Sequence, residues 1–152
     1  MAEAANRIHA KGPYRHEEAY AAEAGIYPGM LIQLDSDGKV ELHDSQGQAL
    51  GDETLIAEED ALQGNTVDTV YTISTICSYL IPQKGSVVRA RIKAGEDIAI
   101  GDELVSNGDG LFIEDTSVGS GVTVTRIYGV AEEACDLTAS GASNTLCMMR
   151  VV

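Results

Sequence analysis

Three histidines, His9, His16 and His43, are the side chains of this sequence that ordinarily change charge near neutral pH, so general acid–base chemistry would have to start from them. His9 and His16 fall in an N-terminal stretch that lacks strand alternation. His43 stands beside Asp44 at the end of an alternating segment, where a polar side chain is expected to face solvent. The sequence contains no Gly-x-Ser-x-Gly, no His-Glu-x-x-His and no Gly-x-x-x-x-Gly-Lys. Spacing therefore assembles neither a nucleophile with its base nor a phosphate cradle, and no catalytic residue is assigned.

Metal and redox chemistry fare no better. Cys77, Cys135 and Cys147 are odd in number, at spacings of 58 and 12, which fits neither a zinc site nor a disulfide framework. They read as small apolar filler within strands, and whether they crosslink neighbouring molecules by oxidation is left open. Asp35-Ser36-Asp37-Gly38 starts like a calcium loop, but Lys39 takes its fifth position and Gln46 its twelfth. A hairpin turn explains these residues better. Glu58-Glu59-Asp60 reads as a solvated turn. No metal or cofactor is expected.

The elements that would position any site follow from composition. In 152 residues there are 24 Asp+Glu against 10 Lys+Arg, a formal charge of −14. Such a body repels phosphate backbones and anionic headgroups, so neither nucleic acid nor membrane is an expected partner. No segment approaches the roughly 20 apolar residues of a membrane span, and the chain reads as soluble and made in the cytoplasm. Charge is unevenly spread: residues 1–16 carry +2 and residues 17–152 carry −16. Residues 1–23 are therefore expected to form an arm, with a helical turn over Glu17–Ala24 that stops at Gly25. Within it Arg7, Lys11 and Arg15 supply charge, and Ile8, Tyr14 and Tyr20 supply apolar anchors for docking onto an acidic partner. A second basic row, Arg89, Arg91 and Lys93, alternates along a strand and is either a further contact or a cross-strand pairing face.

Beyond Gly25 the period is that of strands. Met30, Ile32 and Leu34 lead through the turn at Asp35–Gly38 to Val40 and Leu42, which predicts a hairpin. Strands are also predicted over 69–81, with Tyr71, Ile73, Cys77, Tyr79 and Ile81 on one face, and over 87–93, 122–130 and 146–152. A second hairpin is predicted around Asn107-Gly108-Asp109-Gly110. The two hairpins look like copies: Gly29, Ile32, Asp37 and Gly38 match Gly101, Leu104, Asp109 and Gly110 at a shift of 72. Ala24-Gly25 matches Ala94-Gly95, and Ala57-Glu58-Glu59 matches Ala131-Glu132-Glu133. All these shifts are even, so inward-facing positions stay inward. The expectation is an all-β body over 24–152, a small barrel or sandwich, with pseudo-repeats near 24–62 and 94–136 that close each other's edges.

Two resemblances bear on function. The run from Lys93 to Leu104 resembles the Gly-Asp turn of biotinyl and lipoyl carrier domains, but no lysine follows Lys93 to be acylated, so only the small-barrel hint is kept. The ordered layout of Ala24-Gly25, Gly29-Met-Leu-Ile-Gln-Leu-Asp-Ser-Asp-Gly-Lys-Val, Leu55-Ile-Ala-Glu-Glu, Ala94-Gly-Glu-Asp-Ile-Ala-Ile-Gly-Asp-Glu-Leu-Val and Gly129-Val-Ala-Glu-Glu resembles tailed-bacteriophage capsid decoration, or cement, proteins. That resemblance covers about residues 24–152. It implies a virion protein on the outer capsid surface, a homotrimer at local three-fold positions, clamping neighbouring major capsid protein subunits without catalysis. The alternatives are a small β-domain enzyme with its site in a barrel mouth, or a carbohydrate- or receptor-binding phage module.

Overall fold

In the computed structural model, residues 7–44, 53–116 and 126–152 are described. The strands in the first half are β1 (His9–Lys11), β2 (Tyr14–Tyr20), β3 (Leu31–Leu34), β4 (Val40–Leu42), β5 (Leu55–Ala57) and β6 (Ile76–Pro82). Those in the second half are β7 (Val87–Ile92), β8 (Asp97–Ile98), β9 (Glu103–Ser106), β10 (Phe112–Glu114), β11 (Gly129–Ala131), β12 (Cys135–Asp136) and β13 (Thr145–Val151). One 3-10 turn, Ala61–Gln63, interrupts them, and no α-helix occurs among the described residues.

The two halves have the same strand order, and each closes on itself. In the first half the order is β2-β6-β5-β3-β4, and the ring shuts through a parallel bridge from Ala21 to Val40. In the second half β7-β13-β11-β9-β10 runs in the corresponding order, and β10 returns to β7 through the parallel pair Phe112–Ile92. The expected exchange of edges between copies is thus corrected: each five-stranded set satisfies its own edges by curling into a barrel. The repeats are also longer than expected, running from β2 to β6 and from β7 to β13.

Equivalent residues fill equivalent places. Asp35 Oδ1 accepts the N–H groups of Asp37 and Lys39 at 2.9 and 2.8 Å. Asn107 Oδ1 does the same for Asp109 and Leu111, at 2.8 and 3.1 Å. Each turn then needs a left-handed residue, met by Gly38 at φ 75° and Gly110 at φ 73°. Inside the first barrel lie Ala21, Ile26, Ile32, Val40, Ala57, Cys77 and Tyr79. Their counterparts Ile92, Ile98, Leu104, Phe112, Ala131, Cys147 and Met149 lie in the larger cluster, which also draws Ile8, Leu31, Ile56 and Leu80 from the first half. The two barrels therefore share one apolar seam.

Three expectations change. Residues 17–20 belong to strand β2, not a helical turn, because Tyr14 through Tyr20 pair residue for residue with β6. Strand β6 starts only at Ile76; the preceding Thr72–Thr75 turn, with Ser74 at φ 64°, breaks the alternation and leaves Ile73 exposed at 59%. Of the strand expected over 122–130, residues 122–125 lie outside the described residues and 129–130 fall in β11.

Candidate partner-binding surface

The N-terminal segment is built into the body. Ile8 is completely buried within the shared core, β1 pairs with β7, and β2 pairs with β6 along its whole length. The expectation of a detached arm over 1–23 is corrected for the described residues 7–23. Apolar Ile8 finds a core, and the backbone on either side of Gly12-Pro13 finds two sheets. The Ile8 N–H donates to Glu59 Oε2 at 2.9 Å, and the Arg7 guanidinium lies 3.6 Å from the same carboxylate.

The main chain of the basic row, Arg89 and Arg91 on β7 with Lys93 just beyond it, is an internal seam. Its N–H groups donate in succession to three different parts of the chain: Arg89 to Ile8 O at 2.7 Å, Arg91 to Gly29 O at 2.8 Å, and Lys93 to Phe112 O at 3.0 Å. The Arg89 side chain donates to Arg7 O at 2.7 Å. Arg91 is 6% exposed and donates to Pro28 O at 2.9 Å and Val67 O at 2.7 Å, under the ring of Tyr27. Burial lowers its affinity for a proton while Asp68 opposes that effect. Ile8 and Arg91 are therefore unavailable to a partner, whereas Lys11, Arg15, Tyr20 and Lys93 are exposed. Tyr14 is half-buried against the ring of His9, centroids 4.3 Å apart, and Arg15 pairs with Glu53 at 2.8 Å.

His43 is not the solvent-facing residue expected. It is 3% exposed, with Nδ1 2.8 Å from Ser106 Oγ and Nε2 3.2 Å from the Tyr128 hydroxyl. A hydroxyl beside an imidazole is the start of a nucleophile, but Ser106 is fully buried and its oxygen already accepts the Gly108 N–H. The chain spans the two halves and acts as a buried polar strut. Glu58 and Glu59, expected in water, are 7% and 5% exposed. Glu58 Oε2 meets His16 Nδ1 at 3.0 Å. Among the described residues no cluster of three or more His, Cys, Asp or Glu is placed to hold a metal ion, and no helix is long and apolar enough to cross a membrane.

Several exposed apolar side chains gather on the first barrel. An open groove of about 720 Å³ is lined by Tyr20, Leu62, Val70 and Ile76 together with polar residues that include Glu18 and Asp60. Leu62 is 94% exposed and Tyr20 58%. Beside it β2 pairs, among the described residues, only with β6 until the bridge at Ala21. Sequence reading found Tyr20 but missed Leu62, Val70 and Ile76. The signal was available in the repeat: residues 58–75 join β5 to β6, whereas only 132–144 make the matching connection, where Leu137 is buried. The longer connection in the first copy carries the exposed Leu62, Val70 and Ile73, and Ile76 follows it at the start of β6.

No family model and no curated protein matches the sequence. Among solved structures, the fold is similar to that in "The crystal structure of head fiber gp8.5 N base in bacteriophage phi29", with a TM-score of 0.55 at 12% identity. The match covers 92% of this chain and 95% of that one, so both barrels are included.

Proposed function

We propose that this chain is a bacteriophage head protein of the decoration type, one that binds the outer surface of the mature capsid and braces contacts between major capsid protein subunits. The observation that carries the reading is the likeness of fold, across nearly the full length of both chains, to the base of a head fibre. The layout of turns that resembles decoration proteins points the same way. Two barrels fused through one core make a rigid body, which suits a fastener more than a flexible linker.

The contact face in this reading is the groove lined by Tyr20, Leu62, Val70 and Ile76, with Lys11 of β1 and Arg15 of β2 supplying exposed positive charge elsewhere on the N-terminal segment. Exposed apolar side chains gathered at one groove with a polar border suit an interaction site, and tyrosine is a favoured anchor. Trimers at local three-fold positions would multiply modest contacts through effective concentration. The test is sedimentation of the purified chain with expanded, undecorated heads of the phage that encodes it. Saturable co-sedimentation at a fixed ratio to capsid protein is expected; a chain that stays in the supernatant at saturating concentration overturns the proposal.

A further inference from the structure

We propose that Cys135 and Cys147 are a disulfide-forming pair that staples the second barrel once the protein meets an oxidising environment. The argument rests on the duplication. In the first barrel Tyr71, bridged to Ile26, sits over Cys77 and donates its hydroxyl to Glu58 O at 2.6 Å. The same hydroxyl oxygen accepts the Ser78 N–H at 3.4 Å, which ties the connection after β5 to β6. In the second barrel Cys135 holds the corresponding place, paired with Ile98 as Tyr71 is with Ile26. Cys147 holds the place of Cys77, its thiol donating to Glu133 O at 3.3 Å. Cys135 packs against the apolar cluster that contains Cys147, and each thiol acts on the other's proton affinity as a neighbour. The same tie is thus made by a tyrosine hydroxyl in one copy and has a pair of thiols available in the other. Cys77 faces Tyr71 and gains no such partner.

The chemistry needs an external oxidant, which a small-molecule disulfide such as oxidised glutathione supplies. Cys135, part-exposed, loses its proton and attacks one glutathione sulfur, releasing reduced glutathione and leaving a mixed disulfide. Cys147 then loses its proton and displaces the second glutathione as the Cys135–Cys147 bond forms. Two thiols have given up two electrons and two protons to the disulfide reagent. Burial pushes the Cys147 thiol up to about 12 and raises that of Cys135, so closure is slow near neutral pH and faster in mild alkali.

The experiment incubates the reduced full-length chain with oxidised glutathione at mildly alkaline pH, then counts thiols in denaturant and maps peptides. A fall from three thiols to one is expected, with Cys135 linked to Cys147 within one chain and Cys77 free. The melting temperature should rise by about 5–10 °C, reversed by reductant. Cys77→Ser should still form the link, whereas Cys135→Ser should form none. Retention of all three thiols, a stable glutathione adduct on Cys135, or a bond involving Cys77 would overturn the proposal. The readout needs no capsid, so it stands or fails separately from head binding.

Discussion

Glu59 accepts the Ile8 N–H at 2.9 Å in a setting where its side chain is 3% exposed, which locks the N-terminal segment to the turn after β5. Removing the carboxylate strands a buried donor. Glu59→Ala should cost about 1–3 kcal/mol, and Ile8→Ala about 2–5 kcal/mol through the cavity it leaves. Deleting residues 1–23 removes Ile8 and the partner that Glu59 accepts from, together with strand β2, so the truncated chain should not fold cooperatively. Urea unfolding followed by circular dichroism reads all three, and a truncated protein with the full-length midpoint would contradict the assignment of these residues to the body.

His16 links β2 to Glu58 and Glu18, and hydrogen bonding to Glu58 is the foremost cause that raises its pKa above the ordinary 6.5, with burial opposing. Because the folded state holds the proton more tightly, the stabilisation is full below the unfolded value of about 6.5 and is lost as pH climbs through the folded one. The gap in urea midpoint between the native chain and His16→Ala should therefore narrow as the pH rises from about 5.5 to about 8.5. With half of the ring in water the gap is small at any pH. A gap that widens with pH would reverse the sign of the coupling.

How much of this was legible depends on what each residue's alternation could report. Ile32, Val40, Leu104 and Phe112 alternate cleanly, so both hairpins and the all-β class were readable, as was the repeat anchored by Gly29 and Gly101. Ring closure was not, since Ala21–Val40 and Ile92–Phe112 are single parallel contacts that no local pattern encodes. Segment 7–23 was misread because charge was taken as a guide to detachment, while the decisive fact was one apolar residue, Ile8. Arg91 and His43 were placed outside by residue type. Both are buried because main-chain carbonyls or hydroxyls from distant segments satisfy them, and sequence spacing does not show such partners. The groove was signalled only by the longer connection 58–75 in the first copy; the turn that exposes Ile73 was not, because a left-handed Ser74 has no sequence signature of its own.

Gly29 sits where the first barrel meets β7. A Cβ there would lie 3.0 Å from Arg89 O and 2.4 Å from a Leu146 methyl, at a φ of 88°. Gly29→Ala pays about 1–2 kcal/mol for the left-handed backbone alone, and the crowding against a main-chain oxygen adds to it. Gly25, at φ 87° with open space around it, pays only the first cost. Gly29→Ala should thus lower the urea midpoint more than Gly25→Ala, and equal losses would mean that the barrel seam yields freely.

Leu62 offers the cleanest separation of attachment from folding. It stands on the Ala61–Gln63 turn, which buries none of its residues, and at 94% exposure its replacement should change stability by no more than about 0.5 kcal/mol. A leucine that contributes nothing to the fold yet lines the groove is expected to contribute at the interface. Leu62→Ser should leave the unfolding curve unchanged while weakening co-sedimentation with undecorated heads about tenfold, the loss of roughly 1.4 kcal/mol of contact. Combined with Tyr20→Ala, the loss should deepen. Lys93→Ala, on exposed surface outside the groove lining, should bind as the native chain does. Native affinity in the double variant would move the contact away from this groove and onto another face of the barrels.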